Sequence, residues 1–151
     1  MLIKACTKEQ YPKIKKFICH ILHDELHLDL SSYPHSDLDA IGEAYGGNRE
    51  VFYCLEDHGD VVGTVAVKND DENVALLRRL FIDEKYRGRG LGRKLVEKAL
   101  EFCRQQKYKK VCFRCAENMK AAMALCKSFG FTEDDVAELG KSQIFLLEKK
   151  L

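Results

Sequence analysis

The stretch Arg87-Gly88-Arg89-Gly90-Leu91-Gly92 has the residue types of an anion cradle. Three glycines in five residues let the backbone approach a ligand closely and adopt conformations closed to other residues. The segment behind it carries helical periodicity, so the loop opens a helix whose first N–H groups have no intrahelical partner. Backbone amides of that kind hold phosphate, and the phosphates of a nucleotide-like cofactor are the natural guest. Two familiar phosphate loops are excluded by spacing. A dinucleotide fingerprint counted from Gly88 needs glycine where Arg93 stands. A triphosphate loop ending in Gly140-Lys141-Ser142 needs glycine where Asp135 stands.

A second set of chemistry-bearing residues is His20, His23, Asp24 and His27, which recur at helical spacing opposite an apolar stripe. Two or three imidazoles so placed could meet a metal. With no cysteine or second-element ligand in view, they read as a solvated or substrate-facing stripe, and no metal site is assigned. Cys112-Phe113-Arg114-Cys115 has the spacing of a metal knuckle but lies in a strand-like run, where positions three apart face opposite ways. The seven cysteines are odd in number and sit mostly in apolar periodic segments, which reads as buried reduced thiols.

The elements that must position these residues follow from periodicity. Leu2 to Cys6 reads as a first strand, and Thr7-Lys8-Glu9-Gln10 has the form of a capping box. A helix then runs to about Leu28 on Ile14, Phe17, Ile18, Ile21, Leu22 and Leu26. Ser31 to Ser36, with Pro34, reads as a turn. Leu38, Ile41 and Tyr45 mark a short second helix ending at Gly46-Gly47. Val51–Glu56 and Val61–Val67 form a hairpin, and Leu76–Ile82 is the strand that enters the glycine loop. Leu91, Leu95, Ala99, Phe102 and Cys103 define the helix behind that loop. Lys110–Ala116 is a buried strand, Met119 to Phe129 a helix stopped by Gly130, and Phe131-Thr132 with Ser142–Glu148 a last strand pair.

Length and charge narrow the function. A chain of 151 residues is one domain, residues 1–151, with room for a substantial core. A formal charge of +1 argues against a general nucleic-acid binder. No apolar stretch approaches the roughly 20 residues of a membrane span, and the N-terminus has no signal-peptide core, so a cytoplasmic protein is expected. From Phe17 through Asn48 there is no lysine or arginine, while Asp24, Glu25, Asp29, Asp37, Asp39 and Glu43 all fall there. Such a segment predicts either a solvated acidic face or a field that draws a cationic partner.

The glycine loop with its flanks, Leu80 to Gly92, resembles the acetyl-CoA-binding motif of the GCN5-related N-acetyltransferase (GNAT) family. Met119-x-x-Ala122-x-x-Leu125-Cys126-x-x-x-Gly130-Phe131 resembles a later helix motif of that family, and Val61-Val62-Gly63-Thr64 its third-strand start. The element order matches along essentially the whole chain. The resemblance implies an α/β (α+β) fold with a mixed, mostly antiparallel sheet of six to seven strands and about four helices. It implies transfer of the acetyl group of acetyl-CoA to a primary amine of a small molecule or peptide, by direct attack in a ternary complex. Leu80, Phe81 and Ile82 would hold the pantetheine arm and thioester, and the amides of Arg87, Gly88, Arg89, Gly90, Leu91 and Gly92 the pyrophosphate. Asn118 would make a further cofactor contact, although Met119 takes the place of the family's asparagine. The protein would act as a monomer or homodimer.

Two catalytic parts depart from the family pattern. Leu76 stands where some members carry a glutamate base, so His23, Asp24, His27 or Glu43 would have to take the amine's proton. Cys126 stands where most have a tyrosine that protonates the departing thiolate. A thiol could give that proton, or simply fill the tyrosine's slot. These departures also raise an alternative, a non-catalytic acyl-CoA-binding sensor or partner module.

Overall fold

The computed structural model describes residues 1–28, 35–139 and 142–151. The turn expected around Pro34, the carboxylate of Asp29 and the Gly140-Lys141 pair lie outside them. The strands are β1 (Ile3–Ala5), β2 (Val51–Asp57), β3 (Asp60–Asn69), β4 (Val74–Ile82), β5 (Lys110–Ala116), β6 (Thr132–Leu139) and β7 (Ser142–Lys150). They form one seven-stranded sheet in the order β1-β2-β3-β4-β5-β7-β6. All pairings are antiparallel except β4 with β5. The helices are α1 (Tyr11–His20), α2 (Ile41–Ala44), α3 (Leu91–Gln105) and α4 (Lys120–Ser128). The mixed sheet with four helices expected from the sequence is therefore present. No helix among the described residues is long and apolar enough to cross a membrane.

The period of two in β2 sorts the helices onto opposite faces. Tyr45, at the end of α2, meets the Phe52 ring edge-on at 5.1 Å, and Phe102 of α3 meets Tyr53, the next residue of the strand, at 6.3 Å. α1 inserts Ile14 and Ile18 into the core, and α3 inserts Leu95, Val96, Ala99 and Cys103. Burying such apolar stripes is what holds these helices against the sheet.

β4 and β5 share only a short ladder, from Val74–Lys110 to Leu77–Phe113. Beyond it β4 continues to Ile82 beside β3 while β5 continues to Ala116 beside β7, and the parallel pair forks. Just past the last shared rung, β4 bulges: Thr64 pairs Phe81 but Ala66 pairs Arg78, so two residues stand against Val65. Arg79 carries the bulge with φ of 54°, a left-handed conformation uncommon for arginine. The Thr64 hydroxyl donates to the Arg79 carbonyl at 2.7 Å. The guanidinium, 2% exposed, donates to both oxygens of Asp37, at 3.0 and 2.5 Å, and Tyr45 donates to the same carboxylate at 2.6 Å. Burial pushes the Asp37 carboxyl up, but the hydrogen bonds and charge of Arg79, helped by Tyr45, outweigh it and hold it below the usual range. The Arg78-Arg79 pair is thus more than strand-end charge; Arg79 ties the bulge to the segment before α2.

Part of the acidic segment is paired with cations of the same chain. Asp37 pairs Arg79, Asp39 pairs Lys15 and Glu25 pairs Arg87. Asp24 accepts from His20 Nδ1–H at 2.8 Å. Three of the six carboxylates, Asp37, Asp39 and Glu25, are thus answered by a lysine or arginine from elsewhere in the chain, while Asp24 and Glu43 remain on the exposed face expected from the sequence.

Candidate active site

The fork opens into a cleft of about 410 Å³. One wall is the end of β4, with Leu80, Phe81 and Ile82; the floor is the loop from Arg87 into α3; the far wall is Asn118, Met119 and the first turns of α4. Ile21, Glu25 and Leu26 close it from the end of the first helix.

The loop's conformation explains its composition. Gly88 and Gly90 have φ of 78° and 77°, where a side chain is strained, and a Cβ at either would meet no protein atom within 4 Å. The backbone conformation selects glycine at both positions, and both line the cleft with open space beside them. Gly90 also serves as the N-cap of α3, with no side-chain cap. The first intrahelical bond runs from Lys94 N–H to Gly90, so the N–H groups of Leu91, Gly92 and Arg93 have no partner within the helix.

Strand alternation sets what β4 offers. Asp83 N–H bonds back to Val62 of β3, so Leu80 and Ile82 turn their backbone groups away from β3, into the fork. Arg87 Nε covers the Ile82 carbonyl at 3.0 Å, so at Ile82 it is the N–H that is left facing the fork. The same guanidinium donates to Glu25 at 2.6 Å, and Asn118 Nδ2 donates to the Leu26 carbonyl at 2.5 Å. Both contacts span the cleft, from its loop side and its α4 side to the first helix.

A family model, described as the Acetyltransferase (GNAT) family, matches residues 16–131. The chain belongs to the GNAT acetyltransferase family. An acetyltransferase of the GNAT family from Staphylococcus aureus superposes with a TM-score of 0.87 at 21% identity, covering 99% of this chain and 98% of that one. The structure of yncA from Salmonella typhimurium, with its cofactor acetyl-CoA, superposes at 0.82 and 19% identity over 100% and 94% of the two chains. N-acetylaspartate synthetase of Xenopus tropicalis is 36% identical over 88 residues, 58% of this chain and 32% of that protein. The chain spans about a third to a half of the first curated relatives it matches.

Within this GNAT cleft, Leu80, Phe81, Ile82, Arg87, Gly88, Gly90, Leu91, Gly92 and Asn118 all line the walls. Arg89 turns aside, its guanidinium 5.0 Å from the Tyr86 ring and bonded to the Lys85 carbonyl at 3.2 Å. Cys126 is fully buried, and α4 lines the cleft with Lys120, Ala121, Ala122 and Leu125 instead. Burial pushes the Cys126 thiol up to about 12, with Cys115 adding to the rise.

The histidine stripe breaks up. α1 widens after His20 into a π turn, Ile21–Glu25, closed by Leu26 N–H donating to the Ile21 carbonyl at 2.9 Å. The extra residue per turn shifts the phase, and His27 follows outside the helix with φ of 50°. His23, Asp24, His27 and Glu43 all face solvent; His23 stands 5.9 Å from the His35 ring, and His27 adjoins the cleft wall at Leu26. Among the described residues no three histidines, cysteines or carboxylates group to hold a metal.

Sequence reasoning missed Arg79, Glu25 and the cross-cleft bonds. One signal was available: adjacent arginines inside an apolar strand cannot both face water unless the strand bulges or one finds a buried carboxylate.

Proposed function

We propose that this chain transfers the acetyl group of acetyl-CoA to a primary amine of a small molecule or peptide, by direct attack in a ternary complex. The observation that carries the reading is the fork in the sheet, which leads backbone donors of Leu80 and Ile82 into a loop whose glycines leave room for a ligand. The unpartnered amides of Leu91, Gly92 and Arg93 would hold the pyrophosphate. The Leu80 and Ile82 N–H groups would hold the pantetheine arm and orient the thioester carbonyl. Leu26, Met119 and Leu125 would exclude water along the arm. Bound there, acetyl-CoA supplies an activated acyl group open to attack by an amine nitrogen.

Before attack the acceptor nitrogen must lose a proton. His23, Asp24, His27 and Glu43 are the candidate bases, and His27 is favoured by its place beside Leu26. Cys126 we assign to packing. A thiol held that far above its usual range is a poor proton donor to another thiolate, and the cleft wall passes it by. We place the chain in a reducing, cytoplasmic setting, supported by its seven free cysteines.

The test is amine-dependent release of coenzyme A thiol from acetyl-CoA across a panel of primary amines. Turnover that requires the amine supports the reading. Tight acetyl-CoA binding with no turnover of any amine favours the sensor alternative, for which Leu76 at the usual base position is the supporting feature. A companion variant, Cys126→Ala, is expected to keep kcat within about threefold, whereas loss of a general acid costs about 10²-fold or more. A loss of that size would return the acid role to Cys126.

A further inference from the structure

The fork fixes the side from which an acceptor can reach the thioester. On the α3 face of the fork, Leu77, Phe113 and Cys115 are buried, and no amine can enter there. The opposite face can be followed by register, since paired residues point the same way. Phe52 pairs Ala66 and Ala66 pairs Arg78, which puts Arg78 on the face of Tyr45. Its guanidinium lies 6.0 Å from the Tyr45 ring. Leu76 of β4 pairs Cys112 of β5, so two residues further along each parallel strand come Arg78 and Arg114, on one face, where the ladder has just ended.

Two arginines on one face of neighbouring strands give that face a local positive potential that favours an anion. Three of the chain's own carboxylates nearby are already engaged by other cations. Asp37 gives both oxygens to Arg79 and Tyr45. Glu50 pairs Lys68 at 3.3 Å and Glu148 pairs Lys110 at 3.2 Å. Asp135, level with Leu146 and so one strand beyond Arg114's neighbour, accepts from the Val136 N–H at 2.7 Å and, among the described residues, forms no ion pair with Arg114. Among the described residues neither Arg78 nor Arg114 has an ion pair, although nine such pairs occur elsewhere. Arg78 is half-buried against Tyr45 and Arg114 exposed, so both can meet a ligand.

We infer that the acceptor is an amine bearing a carboxylate close to its nitrogen, and that Arg78 and Arg114 bind that carboxylate at the mouth of the fork. A planar guanidinium matches a carboxylate with two parallel N–H bonds, so the pair fixes orientation as well as charge. With the carboxylate held there, the amine is directed at the β4 bulge, where Leu80 enters the cleft. The inference rests on the acetyl-transfer reading given above and names the acceptor class for that site.

The experiment compares free amino acids with their amides, and dipeptides beginning with aspartate with those beginning with asparagine. It measures kcat/KM for wild type, Arg78→Gln and Arg114→Gln, with acetyl-CoA affinity followed by calorimetry. The expected result is a preference for the carboxylate of roughly tenfold to a hundredfold, the range of charge-assisted hydrogen bonds. It should collapse in both variants through KM, return in part in Arg78→Lys, and leave acetyl-CoA affinity unchanged. Preference within the amino-acid arm or the dipeptide arm identifies the source of the carboxylate. Equal use of carboxylates and amides by wild type, or a preference the variants do not move, overturns the inference and leaves acetyl transfer standing. No turnover of any amine overturns both.

Discussion

Gly90→Asp should raise the dissociation constant for acetyl-CoA by about 100-fold or more. Two effects add. The left-handed backbone at φ of 77° costs a side chain up to about 1–2 kcal/mol, which weakens binding to the extent that the free loop relaxes away from it. A carboxylate at the N-cap of α3 also presents negative charge where the amides of Leu91, Gly92 and Arg93 would meet pyrophosphate. Loss of one or two charge-assisted backbone bonds, each about 1.5–3 kcal/mol, suffices for the factor named. Calorimetric titration measures it directly. Arg89→Ala is the control, because the Arg89 side chain packs on Tyr86 outside the cleft lining and should matter much less. Wild-type affinity in Gly90→Asp would remove the cofactor from this loop.

The second large effect is expected at Asp37 and Arg79. Asp37→Ala should destabilise the fold by about 3–5 kcal/mol, the cost of leaving a buried charge unanswered. For a chain of this size that lowers Tm by on the order of 10 °C. The pH dependence has a definite sign. The Asp37 carboxyl is held below its usual range, so its contribution is complete above the unfolded value of about 3.9. It is lost as pH falls through the lower folded value. Wild type should therefore lose stability from about pH 4 downward. Asp37→Asn, which cannot ionise, should start less stable and show a shallower loss over that window. Denaturant titrations from pH 7 to 3 measure both. Parallel curves for the two proteins would show that the pair contributes little.

How much was legible in the sequence depends on the range of the interactions concerned. The glycine loop could be read because its backbone conformation demands a residue type at each position, and residue types are what a sequence displays. The strands and helices could be read because burial repeats at fixed periods. The bulge could not, since it rests on a bond between Arg79 and Asp37, 42 positions apart, that no local pattern records. The acidic segment was ambiguous for the same reason: Lys15, Arg79 and Arg87, which answer three of its carboxylates, lie outside it in sequence. The histidine stripe was drawn on a pitch of 3.6 residues, and a single π turn undid the drawing. Cys126 could be matched to a motif position, but its depth below the cleft is a property of packing.

The fork also describes how the molecule divides. Its sheet is two rafts, β1 to β4 and β5 with β7 and β6, joined along four residue pairs from Val74–Lys110 to Leu77–Phe113. Past that seam, edge groups that a continuous sheet would satisfy internally are left for a guest. A guest spanning both rafts lengthens the seam, and by mass action anything that binds the folded state alone stabilises it. Filling the cleft is then expected to stabilise the folded domain across its narrowest join.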